Sequence, residues 1–214
     1  VSLVNIGIII LFYETKTQHG LPHNPFKSCV VPRCIGWISS ISAEGVANLA
    51  PYSFFNAISD TPPMVMFCSG GAQPHGLKDS LQNIEQTGEF VCNLTTWELR
   101  EAMSLSSAPT LPEVDEFEYT ELEQAKSILV KPPRVAASPI NLECKYTQTV
   151  ELPNTSPTRR NAMVLGEVVG IHISDEILTD GMVDLSKFRP IARLGYMDYC
   201  TVDNVFTMFF PDKT

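Results

Sequence analysis

From Cys29 onward the spacing of apolar and polar residues reads as strand and turn. Residues 30–41 are rich in β-forming side chains and run into a turn signal at Ala43-Glu44-Gly45. Pro51 and the Thr61-Pro62-Pro63 cluster punctuate the next stretch, and residues 64–68 are a continuous apolar run, short enough for a fully buried strand. Leu77, Leu81 and Ile84 then recur at i, i+4 and i+7, which predicts a helix over 77–87 stopped by Gly88. A second buried strand is predicted over 89–94. Thr95-Thr96-Trp97-Glu98 has the form of a capping box and predicts a further helix through Met103.

Between Glu113 and Glu123 stand six carboxylates, Glu113, Asp115, Glu116, Glu118, Glu121 and Glu123, without the His or Asn spacing of a metal site. They read as a solvated connection. Lys131-Pro132-Pro133 marks another turn. Ile140, Leu142, Cys144 and Tyr146 alternate with polar residues, which predicts a half-buried strand. After a polar, proline-containing loop over 152–161 comes a long β-branched run, 163–173, with Gly166 and Gly170 inside it. Bulges or a barrel bend are expected there. No internal repeat and no linker divides the chain. Sixteen prolines against twelve glycines support the same outcome, an antiparallel barrel with a few short helices.

Residues 1–12 are apolar apart from Ser2, Asn5 and Gly7, too short a run for a membrane span and without the flanks of a signal peptide. An additional strand and a stretch upstream of the natural start are both open readings. The domain boundaries expected are therefore an N-terminal extension over 1–11 and a single domain over 12–214.

Charge narrows the functional classes. With 24 Asp and Glu against 15 Lys and Arg, the net charge is −9, which disfavours nucleic acid and anionic membrane as partners. The six cysteines include no C-x-x-C, and most lie in apolar runs, so they are expected to be reduced thiols of a cytoplasmic protein. The signatures of hydrolases, zinc proteases and nucleotide-binding loops are missing. His19 and His23 are separated by Gly20 and Pro22, which forbid the helix that would align them on a metal. His75 falls in a loop, and His172 alternates within a strand. No metal site is expected. An enzyme with so few acid–base groups would owe its reactivity to a cofactor.

Two blocks have the chemistry to hold one. Residues 32–40 and 45–56 supply hydroxyls at Ser39, Ser40 and Ser53, and Pro51 stiffens a turn whose neighbouring amides can face a flat heterocycle. Lys78-Asp79-Ser80 opens the predicted helix, where free backbone N–H groups and a full positive charge make an anion site.

The strings PRCIGWISS (32–40), GVANLAPYSFFNA (45–57), PPMVMF (62–67), KDS (78–80) and TGEFVCNL (87–94) resemble the flavin reductase-like, FMN-binding split-barrel family. The likeness runs to Arg193-Leu194-Gly195-Tyr196 and is nearest to flavoredoxins and the reductase components of two-component flavin monooxygenases. It implies a Greek-key split β-barrel, a homodimer, and FMN near the subunit interface. Position by position, it implies that Ser39 and Ser40 lie beside the isoalloxazine. Asn48, Leu49, Ala50, Pro51, Tyr52 and Ser53 would line its pyrimidine edge, with Ser53 reaching toward the phosphate. Cys68, Ser69, Lys78 and Ser80 would take the ribityl and phosphate side. The implied reaction is hydride transfer from NADH or NADPH to flavin N5, with reduced flavin or electrons going to a partner monooxygenase. An FMN-binding electron carrier that does not react with NAD(P)H is the alternative. A deazaflavin or haem in the same barrel is a third reading, though no histidine stands out as an axial ligand. Two departures bear on the site. Ser80 replaces the usual threonine and keeps the hydroxyl, whereas Cys34 replaces a proline and leaves the role of Arg33 open.

Overall fold

The computed structural model of the protein describes residues 10–71, 76–155 and 159–210. Its centre is a seven-stranded antiparallel sheet. The strands are β1 (Gly36–Ile41), β2 (Ala47–Tyr52), β3 (Phe55–Asp60), β4 (Pro63–Ser69), β5 (Glu89–Leu94), β6 (Ile140–Glu151) and β7 (Ala162–Ile173). They lie in the order β2-β1-β5-β6-β7-β4-β3. Laid flat, the two edge strands would sit about 29 Å apart. Yet those edges are β2 and β3, joined only by Ser53 and Phe54, a connection that reaches about 11 Å. The sheet must therefore curl until its edges meet at that corner, which makes it a split barrel. The mainly β, antiparallel fold expected from the pattern is the one observed.

The interior is filled from all sides of the barrel. Ile38, Phe55, Val164 and the packed rings of Tyr52, Phe67 and Phe90 meet Leu81 and Ile84 of helix α1 (Asp79–Thr87). This is the face predicted from the i, i+4, i+7 spacing, and Gly88 ends the helix in the left-handed conformation at φ 75°. A second cluster covers the outside of β1 and β2, where Trp37 and Leu49 pack on Met103 of α2 (Arg100–Leu105) and Phe117 of α3 (Glu116–Tyr119). With both faces covered, β1 is buried almost continuously rather than alternately.

Both glycines of β7 mark the expected irregularities. The β6–β7 register shifts between Leu165 and Gly166, and again between Val168 and Gly170. At Gly166 the ring of Phe90 occupies the space a side chain would need, 2.4 Å from where a Cβ would stand.

Elsewhere the sequence reading needs correction. The strand expected over 30–41 is divided between two sheets, because Arg33–Cys34 pairs with Ile191–Arg193 in a small separate sheet. The capping box at Thr95 does not form: α2 starts at Arg100 with Leu99 as its cap, while Thr96 bridges to Pro190. Tertiary pairing of Thr96 outcompetes a local cap worth about 1 kcal/mol. Residues 10–12 are exposed and outside any strand, and residues 1–9 of the proposed extension lie outside the described residues, as does His75. His172 is structural. Its Nε2 lies 2.6 Å from Glu143, a carboxylate with no exposure that also accepts the amides of Ile128 (2.7 Å) and Leu129 (2.6 Å). All six cysteines are unpaired.

Gly166→Ala forces a Cβ against the Phe90 ring and is expected to cost about 1–3 kcal/mol. The check is urea unfolding, where the midpoint should fall at an unchanged slope.

Candidate functional site

A cleft of about 440 Å³ opens where the β2–β3 corner, the end of β4 and the start of α1 converge. That volume suits a cofactor-sized ligand. Asn48, Ala50, Pro51, Tyr52, Ser53 and Phe54 form one wall, and Cys68 with Gly70 and Gly71 another. Lys78, Asp79 and Ser80 stand at the helix end, with Ser106, Ser107, Glu116, Arg159 and Asn161 around the rest.

Eight of the twelve residues expected at the site are brought together here: Asn48, Ala50, Pro51, Tyr52, Ser53, Cys68, Lys78 and Ser80. The other four are placed behind the wall. Strand alternation sends Ser39 to the outer face, fully buried, where it donates to the Pro133 carbonyl at 2.6 Å. Leu49, also fully buried, faces the outer cluster. Ser40 is buried inside among Asn48 and Asn83, and Ser69 is buried beside the Tyr52 hydroxyl.

Several lining residues carry little local signal in the sequence. Glu116, grouped with the solvated carboxylates, is 3% exposed. Asp115 caps α3 by accepting from the Phe117 amide, which turns the Glu116 side chain inward. Its Oε2 accepts from Asn48 Nδ2 (2.9 Å) and the Leu49 amide (3.0 Å), and its Oε1 from Thr110 (2.6 Å). The one available signal was the aspartate followed by a phenylalanine two residues later, a helix start with a core residue in its first turn. Lys27 reaches the cleft from a segment held by Arg33, whose guanidinium donates to the carbonyls of Lys27, Val30 (2.9 Å) and Leu194 (2.8 Å). Arg33 is thus an anchor, and Cys34 keeps its strand pairing with Ala192. Arg159 and Asn161 flank Arg160, which grips Glu85 of α1 through two bonds of 2.8 and 2.9 Å and also reaches Glu151. That grip holds the Glu85 carboxyl below its ordinary range.

The electrostatics of the cleft run against those of the chain. Lys27, Lys78 and Arg159 outnumber Asp79 and Glu116, in a protein of net charge −9. Lys78 is the N-cap of α1, so its charge adds to the positive end of the helix. Burial pushes the Cys68 thiol up, and it pushes the Tyr52 hydroxyl up to about 12 although Ser80 and Ser69 lie beside it. Among the described residues, none meets the buried Tyr52 Oη at hydrogen-bonding geometry. Both groups are therefore neutral walls near pH 7. The set offers neutral walls and a cationic end, which suits a partly apolar ligand with an anionic group.

Burial also raises the Glu116 carboxyl above its ordinary value, despite the three donors. The folded protein then binds this proton more readily than the unfolded chain. Its contribution to stability is full below the ordinary glutamate range and is lost as pH rises through the elevated value. Glu116→Gln should remove that loss. In urea titrations at a series of pH values, the variant's midpoint should gain on the wild type's as pH rises; parallel curves would refute the assignment.

Residues 28–192 match the family described as flavin reductase like domain. The chain is 39% identical over 167 residues to an uncharacterised protein of Aquifex aeolicus, covering 78% of this chain and 82% of that one. Among solved structures it is similar to nitrilotriacetate monooxygenase component B from Bacillus cereus, at a TM-score of 0.85 and 25% identity, covering 94% of this chain and 100% of that one. It is also similar to the 2-nitrobenzoate 2-nitroreductase NbaA of Pseudomonas fluorescens, at a TM-score of 0.76 and 28% identity, with 87% and 89% covered. No helix among the described residues is long and apolar enough to cross a membrane.

Proposed function

Because the chain belongs to the flavin reductase-like family, we propose that its cleft binds FMN and that the protein is an NAD(P)H-dependent flavin reductase. The observation that carries this reading is the excess of cations lining the cleft, Lys78 at the start of α1 among them, in an otherwise acidic chain. Lys78 and the first amides of α1 would hold the phosphate by charge and helix dipole. Ala50 through Phe54 would line the ring, with the corner backbone and Ser53 supplying polar contacts and Phe54 an apolar one. When bound, FMN would supply the hydride-accepting redox chemistry that no side chain of the cleft offers. Such a transfer needs close stacking and a water-poor face more than an acid–base pair. Tyr52 and Cys68, held neutral by burial, serve that end.

The reduced flavin or its electrons would go to a partner. The similarity to a protein that is itself component B of a monooxygenase supports a monooxygenase in that role. We read the working form as a homodimer, supported by large apolar side chains that stand almost fully exposed, Phe206, Phe209 and Phe210 among them. Six unpaired thiols support a cytoplasmic location.

Lys78→Ala removes one charge-assisted contact, usually worth about 1.5–3 kcal/mol, so FMN affinity should fall roughly ten- to a hundredfold. Fluorescence titration checks it, and unchanged binding would remove the phosphate from this position. For the reaction itself, protein with FMN and NADH, then NADPH, should bleach the nicotinamide absorbance under catalytic cofactor concentrations. Bound flavin with no nicotinamide oxidation would make the protein an electron carrier instead.

A further inference from the structure

The buried groups behind the cleft impose a direction on its hydrogen bonds. Glu116 Oε2 accepts the Leu49 amide at 3.0 Å, since an N–H can only donate. Asn48 donates to the same oxygen through Nδ2 at 2.9 Å. Its other terminus, Oδ1, then faces Ser80 Oγ at 2.7 Å and Ser40 Oγ at 3.3 Å. A carbonyl oxygen cannot donate, so both hydroxyl protons are committed to it. Ser40 in turn accepts from Asn83 Nδ2 at 3.2 Å, which is consistent with its proton pointing away toward Asn48.

We infer that Glu116 is a positioning residue that acts through Asn48, holding Ser80 at the cleft floor as an acceptor and tying β2 to the first turn of α1. Ser80 therefore offers no proton to a phosphate oxygen, which can only accept. The group it can receive is a ligand hydroxyl, such as those of a polyol chain, while the phosphate depends on Lys78 and the helix end. The same relay spans the two walls of the cleft, since Asn48 lies on β2 and Ser80 on α1. This inference rests on the flavin reading given above.

The test compares FMN with riboflavin, which lacks only the phosphate, on variants whose folding is verified by near-UV circular dichroism. Wild type should bind FMN more tightly than riboflavin, and Lys78→Ala should bring the two affinities together. Ser80→Ala should weaken both flavins by a similar factor and preserve their ratio. If Ser80→Ala collapses the ratio as Lys78→Ala does, the serine donates to the phosphate and the inference is wrong. Glu116→Ala should weaken both flavins about tenfold, and Glu116→Gln, whose amide oxygen can still accept from Leu49 and Asn48, should restore most of the loss. Wild-type affinity in Glu116→Ala, or no rescue by Glu116→Gln, would overturn the positioning role. Should Glu116→Ala fail to fold, the Ser80→Ala ratio decides alone. Wild-type protein that binds neither flavin would sink the flavin reading first, and this inference with it.

Discussion

Everything in this structure turns on the two-residue corner at Ser53-Phe54. The edge strands of a seven-stranded sheet are neighbours in the chain, and a connection that short cannot cross an open sheet. Closure follows, and with it come the filled interior and the cleft. Phe55, the first residue beyond the corner, lies against Gly36, where a Cβ would come within 2.5 Å of its ring. Tyr52, the last residue before the corner, packs on Phe67 with ring centroids 4.7 Å apart. The corner is thus pinned by aromatic packing on both sides, and its backbone and side chains face the cleft.

Buried polar side chains tie the loops of the fold to its strands. Glu116 takes the Leu49 amide and Asn48. Glu143, with no exposure, takes the amides of Ile128 and Leu129, and also Val130 at 3.2 Å. Burial opposes charge on Glu143, but the His172 contact and these amides outweigh it and hold the carboxyl below its ordinary range. Asn93 does similar work at the centre of the sheet, accepting from the Val135 amide at 2.8 Å and from Asn141 at 2.9 Å. A carboxylate or amide that satisfies several backbone donors is costly to leave half-made, so these contacts hold the loops in one arrangement. At the cleft itself the group of this kind is Glu116, which ties β2 to α3.

Electrostatics then set the cleft apart from the rest of the chain. A net negative charge repels anions at long range, while Lys27, Lys78 and Arg159 create a local exception around the cleft. Each of the three cations arrives from a different part of the chain. Arg33 fastens the segment bearing Lys27, the capping of α1 places Lys78, and the Arg160–Glu85 grip sets the position of Arg159. A basic pocket in such a chain is a product of folding.

Periodicity made most of the sheet legible. The apolar run at 64–68, the alternation at 140–146 and the glycines of the last long strand all correspond to strands and register shifts that exist. The spacing of Leu77, Leu81 and Ile84 located the helix that plugs the interior, and Lys78 was legible as its charged start. Local sequence sufficed there because periodicity and capping depend on neighbours a few residues away. It failed for Thr95-Thr96 and for Glu116, whose partners are Pro190 in one case and Asn48 and Leu49 in the other, far along the chain. It also could not divide Ser39 from Ser40, or Leu49 from its neighbours, until the strands had a side facing the cleft. Alternation is written in the chain, but which face meets the ligand is decided only when the sheet closes, because closure makes one face the inside.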